Sequence, residues 1–169
     1  MTETIIRAVA AADIPAIAAL ARAIWLDHYP AIISVEQIEY MLAERYSPAQ
    51  MREEIDGGTI GWEQIVVDGA PVAFASYFAS EMPGEMKLDK LYVHPGHQRA
   101  GYGGKLIAHV AAVAANRGFR RLILAVNKNN VQAIGAYRKH GFAVRESVTK
   151  EIGNGFVMDD YVMVKELTA

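Results

Sequence analysis

The stretch KLDKLYVHPGHQRAGYGGK, Lys87 to Lys105, decides how this chain folds. Its first part, Leu88 to Val93, is rich in β-formers and reads as a strand. His94-Pro95-Gly96 stops that strand, because Pro95 has no N–H for a ladder and Gly96 frees the turn. Gln98-Arg99-Ala100-Gly101-Tyr102-Gly103-Gly104 follows, with three glycines in four positions. From Lys105 to Asn116 the apolar residues Leu106, Ile107, Val110 and Val113 recur at helical spacing among alanines. Strand, glycine loop and helix together aim bare backbone N–H groups at an anion. The first N–H groups of a helix lack internal partners, and the dipole makes that end positive. Glycine lets phosphate oxygens reach the main chain without meeting a Cβ. The stretch therefore reads as a pyrophosphate seat.

The loop is not a P-loop, since no Gly-Lys-Ser/Thr end follows four residues after a first glycine. It also misses the dinucleotide fingerprint: Gly101-x-Gly103 is followed by Leu106, with no acid about 20 residues on at a strand end. What it matches is Gln98-x-x-Gly101-x-Gly103 directly after a strand ending Leu91-Tyr92-Val93-His94-Pro95. This resembles the acetyl-CoA loop of the Gcn5-related N-acetyltransferase (GNAT) family. A second block, Val126 to Phe142, resembles that family's next segment, with Asn130, Ala133, Tyr137 and Gly141-Phe142 in the expected order. The two blocks cover roughly the last half of the chain. The N-terminal third carries no family motif.

The resemblance implies a direct transfer of an acetyl group from acetyl-CoA to a primary amine of a small molecule or peptide. Gln98, Arg99, Ala100, Gly101, Tyr102, Gly103, Gly104 and Lys105 would hold the coenzyme phosphates. The backbone of Leu91 and Val93 would pair with the pantetheine arm, and Asn130 would hydrogen-bond the cofactor. Tyr137 would protonate the leaving thiolate; expelling a thiolate from a tetrahedral intermediate is eased by a nearby proton donor. The alternative roles are structural: a core aromatic for Tyr137 and a helix cap for Asn130. The proton acceptor for the amine stays open among Asp89, Glu85, Glu81 and an ordered water. The region of Trp25, His28, Tyr29, Gln37, Tyr40 and Met41 commonly walls the acceptor site in this family, although core packing explains such a cluster equally well. Asp159, Asp160 and Tyr161 on the last strand could line the same cavity, and His94 and His97 could flank it. A homodimer is left open, since many members pair.

The chain has 169 residues, enough for one domain spanning 1–169 with a real core. There is no cysteine, so disulfides, thiolate catalysis and cysteine zinc sites are excluded, and no thioester relay is available. The five histidines show no metal spacing, so no metal is expected. There is no G-x-S-x-G and no H-E-x-x-H to support a hydrolase. Met1-Thr2-Glu3 has no basic n-region, and Asp13, Pro15 and Arg22 break the alanine-rich segment that follows. No signal peptide and no membrane contact are therefore expected, and the expected location is the cytoplasm. Net charge is −2, but the charge is segregated. Twelve bases and only two acids, Asp89 and Glu146, lie from Lys87 to Lys150, whereas thirteen acids and four arginines precede Lys87. A basic half suits the CoA phosphates, and an acidic half suits a cationic amine acceptor. A nucleic-acid partner is not expected, because no recognition motif accompanies the bases. A module that binds CoA without turnover is the competing reading.

Taken in order, Ile5–Val9 is a strand, and Asp13 caps a helix with Pro15 in its first turn. Ser34 with Gln37, then Ser47-Pro48, open two more helices. Strands follow at Gly61–Val67 and Pro71–Ser80 around the Asp68-Gly69 turn, then at Lys87–His94. Arg121–Val126 reads as a strand apolar enough to lie centrally. Asn129 or Asn130 caps the next helix, and Gly141 ends it. Phe142–Lys150 and Phe156–Lys165 are the last strands. The fold class is α/β (α+β): a mixed sheet with helices on both faces. With the resemblance, the sheet is mostly antiparallel and has about seven strands.

Overall fold

Residues 3–167 are described in a computed structural model of the chain; Met1 and Thr2, part of the segment read for a targeting signal, lie outside them. The elements run β1 (Thr4–Ala8), α1 (Ile14–His28), α2 (Val35–Arg45), α3 (Pro48–Gly57), β2 (Ile60–Val67), β3 (Ala70–Ala79), β4 (Glu85–Val93), α4 (Tyr102–Asn116), β5 (Arg121–Asn127), α5 (Val131–Lys139), β6 (Ala143–Gly153) and β7 (Phe156–Glu166). The hydrogen-bonded order is β1-β2-β3-β4-β5-β7-β6. β4 and β5 are parallel, over Glu85–Lys87 against Arg121–Ile123. The pairs β1–β2, β2–β3, β5–β7 and β6–β7 are antiparallel. The mixed, mostly antiparallel seven-stranded sheet is thus as expected. Two-residue turns close two hairpins, Asp68-Gly69 (φ 48° and 85°) and Asn154-Gly155 (φ 55° and 77°).

Contacts divide the chain into two compact units. The first runs through Phe78 and adds Lys90–Leu106; the second takes Ala79–Asp89 and continues from Ile107. In the first, Ile17, Ile38, Met51, Ile65 and Phe74 are fully enclosed. Alternation along β4 puts Lys90 and Tyr92 on the opposite face from Leu91 and Val93. Tyr92 packs against Trp25 of α1, with ring centroids 5.7 Å apart. Val93 instead faces the first turn of α4. Helices therefore cover both faces of this part of the sheet. In the second unit, Leu106's neighbour along the helix, Ile107, together with Val110, Leu122, Leu124, Phe142 and Met163, forms the core.

Two local expectations change. Asp13 precedes α1 but does not cap it with its side chain. Its carboxylate turns back to accept from the Ala10 N–H at 2.9 Å and from Gln64 Nε2 at 3.0 Å, beside Arg7. The Ala10 hydrogen bond, then Arg7 and Gln64, hold its pKa below the ordinary aspartate range, against an opposing effect of burial. The stability this gives is present above pH ~3.9 and is lost as pH falls through the lowered folded value. Asp13→Asn is expected to cost about 1 kcal/mol at pH 7 and nothing near pH 2, read from urea midpoints at the two pH values. Second, α4 begins at Tyr102, one turn before the apolar periodicity starts at Lys105, so Gly103 and Gly104 are helical. β5 lies between β4 and β7, within the sheet as expected, although Ala125 in mid-strand is exposed.

Candidate functional site

The end of β4 is tied down before the loop begins. The His94 N–H donates to the Val72 carbonyl of β3 at 2.8 Å, which fixes where the strand stops. His94 Nδ1 then accepts from the Gly96 N–H at 2.9 Å, and the His97 N–H donates to the His94 carbonyl at 2.8 Å. This closes a tight turn over Pro95–His97. Next the backbone turns twice through the left-handed region: Gln98 is extended (φ −67°, ψ 156°), Arg99 has φ +72° and Gly101 +82°. Successive N–H groups in a turn of this kind form a concave nest suited to an anion. Arg99 is not a glycine, so its left-handed backbone costs about 1 kcal/mol that the surrounding turn must offset.

α4 starts from this nest. Its first internal bond runs from the Lys105 N–H to the Gly101 carbonyl at 3.1 Å. The N–H groups of Tyr102, Gly103 and Gly104 therefore precede any helical acceptor and lie at the positive end of the dipole. A side chain at Gly103 would meet only Val93 Cγ2, at an ordinary 3.7 Å. Nothing in the chain's own packing demands a bare backbone there, and the glycine leaves the main chain open to approach from outside. Gln98, Arg99, Ala100, Gly101 and Lys105 are exposed, and Tyr102, Gly103 and Gly104 are half-buried. Lys105 Nζ lies 5.5 Å from the Tyr102 ring centre. Two cations thus flank a row of unspent donors, a geometry that fits a diphosphate.

Much of the remaining basic charge is already paired. Arg121 meets Glu166 at 3.0 Å, Lys128 meets Asp159 at 2.7 Å, and Arg145 meets the buried Glu85 at 2.6 Å. The Lys128 hydrogen bond, against desolvation and helped by one from Thr149, lowers the pKa of Asp159. Lys90 is 4 % exposed, with its ammonium 5.2 Å from the Trp62 ring and 5.5 Å from the Tyr46 ring. The segregated charge of the sequence is therefore a poor guide to the surface field. Arg99 and Lys105 are the bases placed on the loop itself.

The first unit also holds the aromatic residues named for the acceptor wall. Trp25 and Tyr29 pack at 4.4 Å, and the hydroxyls of Tyr29 and Tyr92 lie 3.1 Å apart. The cluster goes on through Tyr46, Phe74 and Trp62, so it is continuous with the core. Trp25 is 2 % exposed, which makes it a packing residue; Tyr92, Tyr40, His28 and Gln37 are the partly exposed members. Sequence reading missed Tyr92 and Lys90. The signal was present in Leu88, Lys90 and Tyr92, alternate positions on one strand face.

In the second unit, Tyr137 is half-buried on α5. A Schellman closure anchors it: the Phe142 N–H donates to the Tyr137 carbonyl at 3.1 Å, and Gly141 N–H donates to the Arg138 carbonyl at 3.1 Å. Gly141 has φ +92°, as this closure requires. The two rings meet edge to face at 5.7 Å. Asn130 is 5 % exposed and precedes α5, but its side chain makes no capping bond. The cap expected of Asn129 is also replaced, with Asn127 Oδ1 accepting from the Asn129 N–H at 2.9 Å. Asp160 is buried, while Asp159 is exposed and Tyr161 half-buried. Of the three carboxylates considered as proton acceptors, Glu81 is exposed and Asp89 lies 3.8 Å from Lys87. Glu85 is buried, with one oxygen on Arg145 and Oε1 without a hydrogen-bond partner. Among the described residues, no group of histidines and carboxylates is placed to hold a metal ion, and no helix is long and apolar enough to cross a membrane.

Known proteins resemble this chain. An uncharacterized N-acetyltransferase of Mycobacterium tuberculosis is 36% identical over 100 residues, 59% of this chain and 63% of that protein. The match therefore spans less than two thirds of the relative. Streptothricin acetyltransferase of Streptomyces lavendulae is 38% identical over 76 residues, 45% of this chain and 40% of that one. In fold, the chain is similar to a PaiA N-acetyltransferase of Thermoplasma acidophilum crystallised with coenzyme A, at TM-score 0.82 and 23% identity over 97% of this chain and 99% of that one. The model of the acetyltransferase (GNAT) family matches residues 18–142, most of the chain, and with the strand, nest and helix in the places described, this chain belongs to that family.

Proposed function

We propose that this chain transfers an acetyl group from acetyl-CoA to a primary amine of a small molecule or peptide. The observation that carries this reading is the row of bare N–H groups from the Gln98–Gly101 nest into the first turn of α4, with a glycine at 103 that internal packing does not require. That cradle suits the diphosphate of CoA. Leu91 and Val93 offer backbone to the pantetheine arm, and Asn130 a side-chain hydrogen bond. The amine nitrogen attacks the thioester carbonyl carbon, and the tetrahedral intermediate collapses with cleavage of the C–S bond. Tyr137 gives its hydroxyl proton to the departing sulfur, and the amine loses its proton to a carboxylate or water. Asp89, Glu81, Glu85 through its unpartnered Oε1, or an ordered water takes the proton in that step. With no cysteine, transfer is direct. The chain works as a single domain in the cytoplasm, where acetyl-CoA is made available.

The test is thiol release from acetyl-CoA, followed with a thiol reagent over a panel of amines. Streptothricin belongs in the panel, because one relative is named for it. The expected result is thiol formed in equal amount with an N-acetylated amine for at least one member. Tight CoA binding with no release on any amine would instead identify a silent CoA-binding module.

A further inference from the structure

β6 is the last strand of the sheet, so one of its edges has no strand neighbour among the described residues. Residues 143–151 are all exposed, and Val144 and Val148 stand 38% and 40% in solvent. The strand carries no proline, and its register against β7 is regular from Glu146 to Glu151, between irregularities at Val144/Glu146 and Glu151/Gly153. An edge of this kind is a template for another strand. The irregularities and charges limit open-ended stacking, but they leave a six-residue window that is regular in register and exposed.

The sequence of that window selects its partner. When a strand pairs antiparallel with its own copy, facing residues share a sheet face, so their numbers must sum to an even constant. Each register is then centred on one residue. Centring on Glu146 or Lys150 sets like charges against each other. Centring on Ser147 or Thr149 leaves every charge opposite a neutral residue. Centring on Val148 sets Glu146 against Lys150, Ser147 against Thr149, and Val148 against itself. The two-fold axis repeats the Glu146–Lys150 pair, so both charges of both strands in the centre are matched. Among the described residues neither Glu146 nor Lys150 takes part in an ion pair within the chain. Arg145 is outside this count, since its side chain is held by Glu85.

We propose that β6 pairs with β6 of a second copy about a two-fold axis at Val148, joining two sheets into one. The contact is isologous and closes at two subunits. It rests on the edge strand alone and stands apart from the transferase reading.

Sedimentation velocity on the full chain across roughly 1–300 μM, the range a small interface calls for, tests it. The wild type is expected to pass from monomer to dimer. Lys150→Glu sets Glu146 against a second acid, and Glu146→Lys sets Lys150 against a second base. Each is expected to weaken the dimer by about tenfold or more. Exchanging both in one chain restores it. Mixing the two single variants also restores it, because an all-acidic strand then meets an all-basic one. Circular dichroism checks that each variant is folded, and Glu146→Gln or Lys150→Gln, which only remove the attraction, replace any reversal that is not. A wild type that stays monomeric throughout, or a dimer indifferent to these charges, overturns the proposal.

Discussion

Gly103→Asp is expected to abolish coenzyme A binding, with affinity falling by about 10²- to 10³-fold or more, while the protein stays folded. The fold should tolerate it because Gly103 is helical, has room for a Cβ, and lies in a first turn where a carboxylate is favourable. Binding should not, because the new carboxylate would occupy the place of a phosphate oxygen. Like charges about 4 Å apart repel by about 4 kcal/mol at the effective dielectric of a protein surface, and each 1.4 kcal/mol is a factor of ten. Gly103→Ala sharpens the case. Alanine in a helix is more stable than glycine by about 0.5–1 kcal/mol, so this variant should melt higher and still bind CoA less well. Isothermal titration and a thermal melt on the same samples read both quantities. A folded Gly103→Asp protein with unchanged CoA affinity would remove the cradle from the account.

Tyr137→Phe is expected to leave CoA affinity unchanged and to lower turnover by about 10²- to 10⁴-fold where thiolate protonation limits the rate. The substitution keeps the ring, and with it the contact to Phe142 at the end of α5. It removes the hydroxyl alone. Steady-state rates over a pH series separate the proton-donor role from a structural one. If the hydroxyl supplies the proton, the high-pH limb of the wild-type profile disappears in the variant. Equal turnover in the two proteins would reduce Tyr137 to a packing residue.

The sequence shows the fold most clearly where single residues force the backbone. Asp68-Gly69 and Asn154-Gly155 both have positive φ at both turn positions, and Asp68-Gly69 closes the hairpin expected of it. Pro95 and Gly96 end β4 two residues from where the glycine loop opens. The start of α4 was read one turn late, because glycines at 103 and 104 weaken a helical pattern that the nest and the dipole sustain. Asp13 shows the opposite error. It has the composition and spacing of a cap, yet a tertiary partner on β2, Gln64, competes for its carboxylate. Such a contact joins residues far apart in the chain and leaves no periodic trace.

The site divides in the same way. Its proposed donor side is legible because backbone would bind the phosphate, and glycine spacing records backbone demands directly. Its acceptor side is not, because Trp25 and Tyr29 merge with Tyr46, Trp62 and Phe74 into one packed cluster. A pocket wall and a core have the same aromatic composition. Charge misled for a related reason: Lys90 and Arg145 count as surface bases in a sequence, and the folded chain buries one under aromatic rings and pairs the other with a buried carboxylate.

A crystal structure of the chain soaked with coenzyme A tests the central claim most directly. The account predicts diphosphate oxygens within about 2.7–3.2 Å of the backbone nitrogens of Gly101, Gly103 and Gly104, at the start of α4. A diphosphate bound elsewhere, with these nitrogens facing only water, would contradict it.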